Sequence, residues 1–452
     1  MGDARFGTDG VRGLANASLT PELALALGRA SARVLRAPAV VIGRDTRRSG
    51  PLLLDALAAG FASEGVDVID VGVLPTPGIA SLCASRGVPG AVVSASHNPF
   101  EDNGIKVLGP GGTKLADDVE AAIEAELEAL LGKSAAADGR PTGNAVGEIR
   151  AEHELAQAYV EHLLASLPPR ALAGMKVVVD CAHGAASPVA EEVFVSLGAE
   201  CEVINAKPNG VNINAACGST HPESLIAAVR ASGAQLGLAL DGDADRLIAV
   251  DHEGNLVDGD RMLALFAADL SARGELKRDT VVITVMTNLG FLRAMEAKGI
   301  DCAVVPVGDR HVLQALLKDD LSLGGEQSGH LIFSARATTG DGLLTGILLC
   351  DLVKRSGATL AELAGAAFAT YPQRLVAVEV ANREAVASCT ALDEAIAAAE
   401  AELGESGRVL IRASGTEPVI RVMVEADTDE AAQRITDALV AVVVAELEGT
   451  VR

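Results

Sequence analysis

The chain has very few aromatic residues. Phe, Tyr and Trp together make up 2% of its 452 residues, and Trp does not occur, whereas hydrophobic residues of all kinds make up 49%. The cores must therefore be built mainly from Ala, Val, Leu and Ile, which suits many contacts between helices and sheets. A chain of this length is too long for one ordinary core, and at about 150 residues per domain we expect three or four domains.

The chain also lacks an excess of positive charge. It has 37 Lys and Arg against 61 Asp and Glu, a formal net charge of −24, and this sign repels nucleic acid and anionic membranes. We therefore expect no nucleic-acid partner. A phosphorylated small molecule would be repelled as well, so such a ligand requires basic residues gathered in a cleft.

Long hydrophobic runs and a patterned set of cysteines are missing too. No run of about 18 apolar residues occurs, and the first residues contain neither the basic nor the apolar region of a signal peptide. The 7 cysteines are odd in number, widely spaced and without a C-x-x-C pair. We expect a cytoplasmic protein without a membrane partner, whose cysteines are reduced and mostly buried.

Two common catalytic motifs are absent from the sequence. No G-x-x-x-x-G-K-[ST] segment occurs, so nothing supports a P-loop nucleotide site. Residues 94–99, Ser-Ala-Ser-His-Asn-Pro, do not match the G-x-S-x-G elbow of α/β-hydrolases. The Asn-Pro pair favours a turn that places Ser96, next to His97, at the apex of the loop. Ser96 is then either a functional residue or an ordinary loop serine.

The chain does contain a threefold repeat of strand, helix and strand. Val- and Ile-rich strands open units that span residues 39–69, 176–204 and 280–305. In each unit a glycine ends the helix just before the second strand. This pattern predicts three βαβ units with mixed sheets, and hence an α/β fold class.

Each unit is followed by a further strand and a polar loop. The serine loop (94–99), the aspartate loop (241–246) and the glutamate loop (324–330) occupy similar positions in their units. Because open α/β sheets bind ligands beyond the carboxyl ends of their strands, we expect these loops to face one central cleft.

The last part of the chain breaks the repeat and predicts a smaller α+β domain. We place the four domains at 1–150 (serine loop), 151–256 (aspartate loop), 257–370 (glutamate loop) and 371–452 (smaller domain).

The aspartate loop predicts a metal site. In extended backbone, the side chains of Asp241, Asp243 and Asp245 would leave on one side and converge on one hard cation such as Mg²⁺. An EF-hand loop requires Gly at position six and Glu at position twelve, where this chain has Arg246 and His252. A solvated acidic turn is the other alternative. Arg246 would reach a phosphate group.

A second anion site is predicted near the end of the chain. Arg412, Ser414, Gly415 and Thr416, with Arg421 beyond them, combine two guanidinium groups, two hydroxyls and a glycine turn whose N–H groups can bind an anion. These features favour phosphate binding, and an ordinary hairpin turn is the alternative.

Five further residues are candidates on weaker grounds. Arg12 lies among three glycines near the start of the chain, where a simple turn is the alternative. Lys106 is a candidate proton donor and acceptor, unless it is an ordinary surface lysine. Glu326 and Ser328 offer hydrogen bonds to sugar hydroxyls. His311 is a second acid–base candidate to which we assign no firm role.

Five ordered motifs together resemble those of the α-D-phosphohexomutase superfamily across essentially the whole chain. They are F-G-T-D-G-V-R-G, S-A-S-H-N-P, D-G-D-A-D-R, G-E-Q-S-G-H and R-A-S-G-T-E-P. The first motif, the Gln of the fourth and the T-T-G-D-G segment at 338–342 look like the branch that acts on phosphorylated glucosamine. They look less like the branches that act on phosphorylated mannose or glucose.

The resemblance implies an isomerase that moves a phosphoryl group within a sugar. Ser96 would be carried as phosphoserine, and one Mg²⁺ per chain would be held by Ser96 and the loop aspartates. Glucosamine 6-phosphate and glucosamine 1-phosphate would interconvert through a 1,6-bisphosphate, which also serves as activator, and so supply amino-sugar nucleotide synthesis.

The resemblance also implies roles for the remaining candidates. Lys106 would move protons, with Arg12, His97 and Arg246 beside the reacting phosphate. Glu326 and Ser328 would bind the sugar, and the segment from Arg412 to Arg421 would bind the other phosphate.

Several alternatives stay open at this point. A phosphoglucomutase or phosphomannomutase differs only in the sugar, whereas a serine phosphatase or kinase-like enzyme would release phosphate or consume ATP. A non-catalytic phosphosugar-binding regulator is a further alternative, and the chain can be a monomer or a homodimer.

Overall fold

The computed structural model of the protein describes residues 10–132, 139–414 and 418–451. The described residues form two compact units. One contains the described residues up to Val285 together with Ile300–Gly365, and the other contains Met286–Gly299 and the described residues from Ala366 onward.

The first α/β domain is built on a six-stranded mixed sheet. Its strands are β1 (Val11–Leu14), β2 (Ala39–Arg44), β3 (Asp67–Val73), β4 (Gly90–Val93), β5 (Asp102–Leu108) and β6 (Ile149–Ala151), in the order β1-β5-β4-β2-β3-β6. Its helices are α1 (Pro21–Leu35), α2 (Gly50–Ser63), α3 (Thr76–Arg86) and α4 (Asp117–Gly132). Helices α1 and α2 can pack closely because Gly28 has no side chain. A Cβ atom at this position would lie 2.3 Å from the Leu57 carbonyl oxygen.

The second α/β domain follows the same plan with a five-stranded sheet. Its elements are α5 (Ala156–Leu164), β7 (Lys176–Asp180), α6 (Ala190–Ser196), β8 (Glu200–Ile204), α7 (Glu223–Ser232), β9 (Leu236–Leu240), β10 (Leu247–Asp251) and β11 (Leu256–Val257). The strand order is β11-β10-β9-β7-β8.

The third α/β domain has a four-stranded sheet in the order β13-β12-β14-β15. Its elements are α8 (Gly259–Ala272), β12 (Thr280–Thr284), α9 (Leu289–Ala297), β13 (Asp301–Val305), α10 (Asp309–Lys318), β14 (Leu323–Gly325), β15 (Leu331–Phe333), α11 (Gly342–Ser356) and α12 (Leu360–Ala367). Helix α9 belongs to the smaller compact unit.

The three sheets share one arrangement, which confirms the predicted repeat of mixed-sheet α/β domains. In each repeat unit, the first strand (β2, β7 or β12) is parallel to the second and third, and the third pairs antiparallel with a fourth. The shared cores are β5-β4-β2-β3, β10-β9-β7-β8 and β15-β14-β12-β13. The serine, aspartate and glutamate loops each connect the third strand of a repeat unit to the fourth. They are therefore topologically equivalent.

The last domain is a smaller α+β unit, as predicted. It contains β16 (Gln373–Glu379), α13 (Thr390–Leu403), β17 (Gly407–Ala413), β18 (Val419–Ala426), α14 (Asp429–Glu446) and β19 (Thr450–Val451), with the strand order β17-β18-β16-β19. Strands β17 and β18 form an antiparallel hairpin. The Thr428 hydroxyl caps α14 by accepting a hydrogen bond from the Ala431 amide.

The cysteines agree with the expectation of reduced, mostly buried thiols. All seven are unlinked, and four of them are buried. Burial raises the pKa of the Cys83, Cys201 and Cys217 thiols to about 12, so these thiols are protonated and unreactive at neutral pH. Within the described ranges, none of the helices has both the length and the apolar composition of a membrane span.

Candidate active site

The serine loop between β4 and β5 presents a buried hydroxyl to the second domain. Ser96 has a φ of 51°, in the left-handed region, and its Oγ donates a hydrogen bond of 2.5 Å to Oδ2 of Asp241. The Ser94 hydroxyl supports the loop from below, because it accepts from the Ser96 amide at 3.0 Å and donates to Oδ2 of Asp45 at 2.7 Å. Ser96 and the aspartate loop, predicted to face one cleft, are therefore in direct contact.

The aspartate loop brings its three carboxylates together by a turn, so the expectation of an extended backbone was wrong. The Ala244 amide donates to the Asp241 carbonyl at 3.1 Å, and Ala244 has a φ of 57°. In a strand, Asp241 and Asp245 would lie about 13 Å apart along the chain, too far to share one ion. In the turn, one carboxylate oxygen from each of the three aspartates lies within 4.8 Å of the others.

The three carboxylates fit a hard divalent cation. Oδ1 of Asp243 and Oδ1 of Asp245 are buried and have no hydrogen-bond partner in the part of the chain that the structure describes. Burial, followed by repulsion from Asp245 and Asp243, raises the pKa of Asp241 well above its usual value. A cation with oxygen ligands would satisfy the unpartnered oxygens and remove this repulsion.

Basic side chains from all three α/β domains surround the carboxylates. Lys106 is buried, and its Nζ lies 3.0 Å from Oδ2 of Asp243 and 3.8 Å from Oδ2 of Asp245. It is therefore not a surface lysine. Although burial acts in the opposite direction, Lys106, His330 and Arg246 hold the pKa of Asp245 well below its usual value.

Thr76 is a contact that sequence reasoning missed. Its hydroxyl donates to Oδ2 of Asp243 at 2.7 Å, and its amide donates to the Asp243 carbonyl at 3.0 Å. Together with Lys106 it occupies Oδ2, which leaves Oδ1 for another ligand. The available signal was its position at the first turn of α3, directly after a strand.

His97 and Arg246 lie beside the serine hydroxyl. Nδ1 of His97 is 3.3 Å from Oγ of Ser96 and 3.2 Å from Nη1 of Arg246. Because a guanidinium group only donates, Nδ1 is the acceptor. Burial, then the charges of Arg246 and of Arg12 on β1, lower the pKa of His97, which keeps the imidazole neutral.

The glutamate loop is tied to the aspartate loop by His330 and by charge. Nδ1 of His330 lies 3.7 Å from Oδ2 of Asp245, and its Nε2 accepts from the Gly340 amide at 3.0 Å. Oε1 of Glu326 accepts from the Gly308 amide at 3.0 Å, whereas Ser328 is exposed.

The charge of Glu326 reaches the aspartate loop. Against the effect of burial, the three loop aspartates and Glu326 raise the pKa of Arg246. The nearby His311 lies in the first turn of α10, and no role is assigned to it.

The predicted phosphate loop lies in the smaller unit. Arg412 on β17 is directly opposite Arg421 on β18, and burial and the charge of Arg421 lower the pKa of Arg412. The Ser414 amide donates to the Val419 carbonyl at 2.8 Å. Gly415 and Thr416 lie outside the described residues.

Comparison with known proteins accounts for all four domains. The chain matches the alpha/beta/alpha domains I, II and III of the phosphoglucomutase/phosphomannomutase family at residues 3–132, 157–254 and 258–371, and its C-terminal domain at 375–442. The phosphoglucosamine mutase of Symbiobacterium thermophilum is 51% identical over 450 residues, which cover 98% of this chain and 99% of the relative. The chain belongs to the phosphoglucosamine mutase family. The superfamily assigned from the five motifs is thereby confirmed.

Solved structures of the wider superfamily have the same fold. A phosphoglucomutase/phosphomannomutase family protein from Burkholderia thailandensis superimposes with a TM-score of 0.82 at 28% identity, covering 99% of this chain and 98% of that one. N-acetylphosphoglucosamine mutase from Aspergillus fumigatus was solved in complex with GlcNAc-6P and magnesium. It matches with a TM-score of 0.70 at 20% identity, covers 98% of this chain and 96% of that one, and supports the fold alone.

Proposed function

We propose that this protein interconverts glucosamine 6-phosphate and glucosamine 1-phosphate by carrying a phosphoryl group on Ser96. The proposal rests on one observation above all, the 2.5 Å hydrogen bond between Oγ of Ser96 and the buried carboxylate cluster. A hydroxyl at this place can hold a phosphoryl group next to both a cation site and the guanidinium of Arg246.

We propose one Mg²⁺ per chain, held by Asp241, Asp243, Asp245 and an oxygen of phospho-Ser96. When bound, this ion would neutralise charge on the phosphoryl group during transfer. The Oδ1 atoms of Asp243 and Asp245, which accept no hydrogen bond from the described residues, support this ligand set. Arg246, and Arg12 nearby, would contribute further positive charge, while neutral His97 would accept a hydrogen bond from Arg246 beside Ser96.

Two transfers would complete the reaction. In the first, the bond from phosphorus to Oγ of Ser96 breaks as a bond to a free sugar hydroxyl forms, giving a 1,6-bisphosphate. In the second, the reoriented bisphosphate returns its other phosphoryl group to Ser96. In the first transfer the sugar hydroxyl loses one proton and Oγ of Ser96 gains one. We propose that Lys106 accepts the first proton and donates the second.

Substrate binding would use the two remaining sets of residues. Glu326 and Ser328 would bind the sugar hydroxyls. Arg412, Ser414, Gly415, Thr416 and Arg421 would bind the phosphate that is not reacting. Facing like charges destabilise a strand pair, so the opposed Arg412 and Arg421 favour an anion as their ligand.

The test is a comparison of substrates. With a sugar 1,6-bisphosphate as activator, kcat/KM for glucosamine 6-phosphate should exceed kcat/KM for glucose 6-phosphate and for mannose 6-phosphate. A preference for a neutral sugar would make the protein a phosphoglucomutase or phosphomannomutase. Release of inorganic phosphate without isomerisation, or binding without turnover, would favour a phosphatase or a regulator.

Two accompanying proposals have their own tests. Cell fractionation would check the cytoplasmic location expected for an enzyme of amino-sugar nucleotide synthesis. Light scattering of the full chain would distinguish a monomer from a homodimer.

A further inference from the structure

The guanidinium group of Arg47 lies against the serine loop, and all five of its N–H groups donate hydrogen bonds. Its side chain has no solvent exposure, and Nε bonds to Oδ2 of Asp45 at 2.8 Å. Three carbonyl oxygens of the loop, those of Ser96, Asn98 and Pro99, and the carbonyl oxygen of Asp102 at the start of β5 accept from Nη1 and Nη2. Five acceptors thus match the five N–H groups of an arginine, a set that the three donors of a lysine cannot satisfy.

A second donor group reaches the same loop from the second domain. Nδ2 of Asn214 bonds to the Ser96 carbonyl at 2.9 Å and to the Asn98 carbonyl at 3.0 Å. Nη2 of Arg47 bonds to the same two carbonyls, both at 2.9 Å. Carbonyl oxygens only accept, so the amide nitrogen of Asn214 must be the atom that faces them. Two NH₂ groups therefore hold the carbonyl of Ser96 itself and the carbonyl two residues further on.

The four hydrogen bonds from Arg47 and Asn214 to these two carbonyls have a specific consequence for Ser96. Its backbone is in the left-handed region, with a φ of 51°, which is unfavourable for a residue with a Cβ atom and persists only when the surroundings impose it. The imposed conformation directs Oγ toward Asp241 at 2.5 Å. Small displacements of a reacting atom slow a transfer strongly. The hydrogen bonds that position the loop should therefore affect the rate of phosphoryl transfer directly.

The hydrogen bonds from Asn214 also fix the serine loop next to the aspartate loop. The Asn214 amide donates to the Ala182 carbonyl at 2.9 Å, which anchors this residue within the second domain. Gly242, next to Asp241, allows close contact, because a Cβ atom there would lie 2.5 Å from the Ser96 carbonyl oxygen and 3.0 Å from Nδ2 of Asn214. Asn214 therefore connects the domain that holds the carboxylates to the backbone of Ser96.

We infer that Arg47 and Asn214 are positioning residues that hold the backbone of Ser96 so that its Oγ stays aimed at the aspartate loop during both phosphoryl transfers. The inference rests on the proposed role of Ser96 as the phosphate carrier. It concerns the rate of transfer to and from Ser96 and predicts little effect on sugar binding.

Asn214→Ala is the first test, because both carbonyls keep their bonds to Arg47 and the fold should survive. Asn205→Ala is the matched control. Asn205 also has a positive φ and also donates through Nδ2, but to Asp180 and Ser224 of its own domain. Both variants lose two hydrogen bonds that are buried or partly buried, so their thermal stabilities should fall by similar amounts.

The deciding readout is single-turnover transfer, followed by intact mass, from glucose 1,6-bisphosphate to Ser96 and then to glucosamine 6-phosphate. Asn214→Ala should slow transfer and lower kcat by about tenfold or more, with KM within about threefold of the parent value. Asn205→Ala should leave the transfer rate within about twofold. Arg47→Lys keeps a positive charge beside Asp45 and should slow transfer further.

Equal transfer rates in Asn214→Ala and Asn205→Ala would overturn the inference, as would a change in KM alone. If the parent protein takes up phosphate on Ser96 while Asn214→Ala transfers normally, only the inference fails. If the parent protein takes up no phosphate on Ser96, the proposed function fails with it. An Arg47→Lys protein that does not fold leaves the Asn214 result to decide.

Discussion

The serine loop and the aspartate loop occupy the same connection in two copies of one domain, yet they are stabilised in different ways. The aspartate loop is a short turn that closes through the Ala244 amide, and Thr76 and Lys106 of the first domain bind its Asp243 carboxylate. In the serine loop the donors from outside, Arg47 in its own domain and Asn214 in the next, bind backbone carbonyls instead. The repeat therefore supplies the common position, and the supporting residues supply the different functions.

The difference also appears in what each loop presents. The aspartate loop presents three buried carboxylates that repel one another, so its weakness is electrostatic. The serine loop presents one neutral hydroxyl on a left-handed backbone, so its weakness is geometric. Changes of charge should therefore damage the first loop most, and changes of shape the second.

Asp241→Asn should have the largest effect. We expect activity to fall at least about 100-fold, since a charge that faces the reacting group is lost. The metal-free protein should gain thermal stability, because the change removes repulsion among buried carboxylates. Asp251→Asn is the control, since Asp251 is also buried in this domain but bonds only locally, to the amides of Glu253 and Asn255. Calorimetric titration with Mg²⁺ and melting curves would test this, and a destabilised metal-free Asp241→Asn protein would contradict it.

Lys106→Gln should come next, with kcat lowered about 100-fold through loss of proton transfer. The variant also removes the ammonium group that lies 3.0 Å from Oδ2 of Asp243 and 3.8 Å from Oδ2 of Asp245, so it should depend more on Mg²⁺ for stability. Lys114→Gln, which removes a lysine paired with Asp309 instead, provides a comparison. Equal kcat values for the two variants would argue against a proton-transfer role for Lys106.

Gly242→Ala tests the contact between the two loops. The added Cβ would lie 2.5 Å from the Ser96 carbonyl oxygen, so the serine loop must shift. We expect kcat to fall about tenfold, while the affinity for Mg²⁺ changes little. Gly365→Ala on α12, where a Cβ meets nothing within 4 Å, should keep full activity. If Gly242→Ala lost metal affinity and kept its transfer rate, the two loops would not differ in the way proposed.

Asp341→Asn should have the smallest effect, on stability rather than on chemistry. Burial raises the pKa of Asp341 from 3.8 to about 6. Between these values the folded protein binds more protons than the unfolded chain, so this group makes the fold less stable as pH rises. The stability difference between Asp341→Asn and the parent protein should therefore grow by about 1 kcal/mol in favour of the variant from pH 5 to pH 7. Denaturant curves at both values would measure it, and a constant difference would contradict it.

Much of this arrangement follows from short-range sequence patterns. The strand, helix and glycine signals located the three βαβ units, and the position of each polar loop after a strand indicated that the loops share one edge of their sheets. The local conformation of the aspartate loop was not predictable in this way. Alternation of Asp with small residues fits a strand as well as a turn, and only the left-handed Ala244 distinguishes them.

The supporting contacts were not predictable because they join residues that are far apart in the chain. Arg47 is 49 residues from Ser96, Asn214 is 118 residues from it, and Thr76 is 167 residues from Asp243. A single sequence carries no signal for such pairs beyond their positions near strand ends. The segment from 383 to 403 forms two helical pieces rather than one helix, for a local reason. Cys389 is extended, so a 3₁₀ turn at Arg383–Ser388 precedes α13.

The central claim is that Ser96 carries the phosphoryl group between the two positions of the sugar. Intact mass of the full chain after mixing with a sugar 1,6-bisphosphate tests it most directly. We predict one added phosphate per chain, located on Ser96, lost when glucosamine 6-phosphate is added and absent in Ser96→Ala. An active protein with no phosphate on Ser96, or a Ser96→Ala variant with undiminished turnover, would contradict the account.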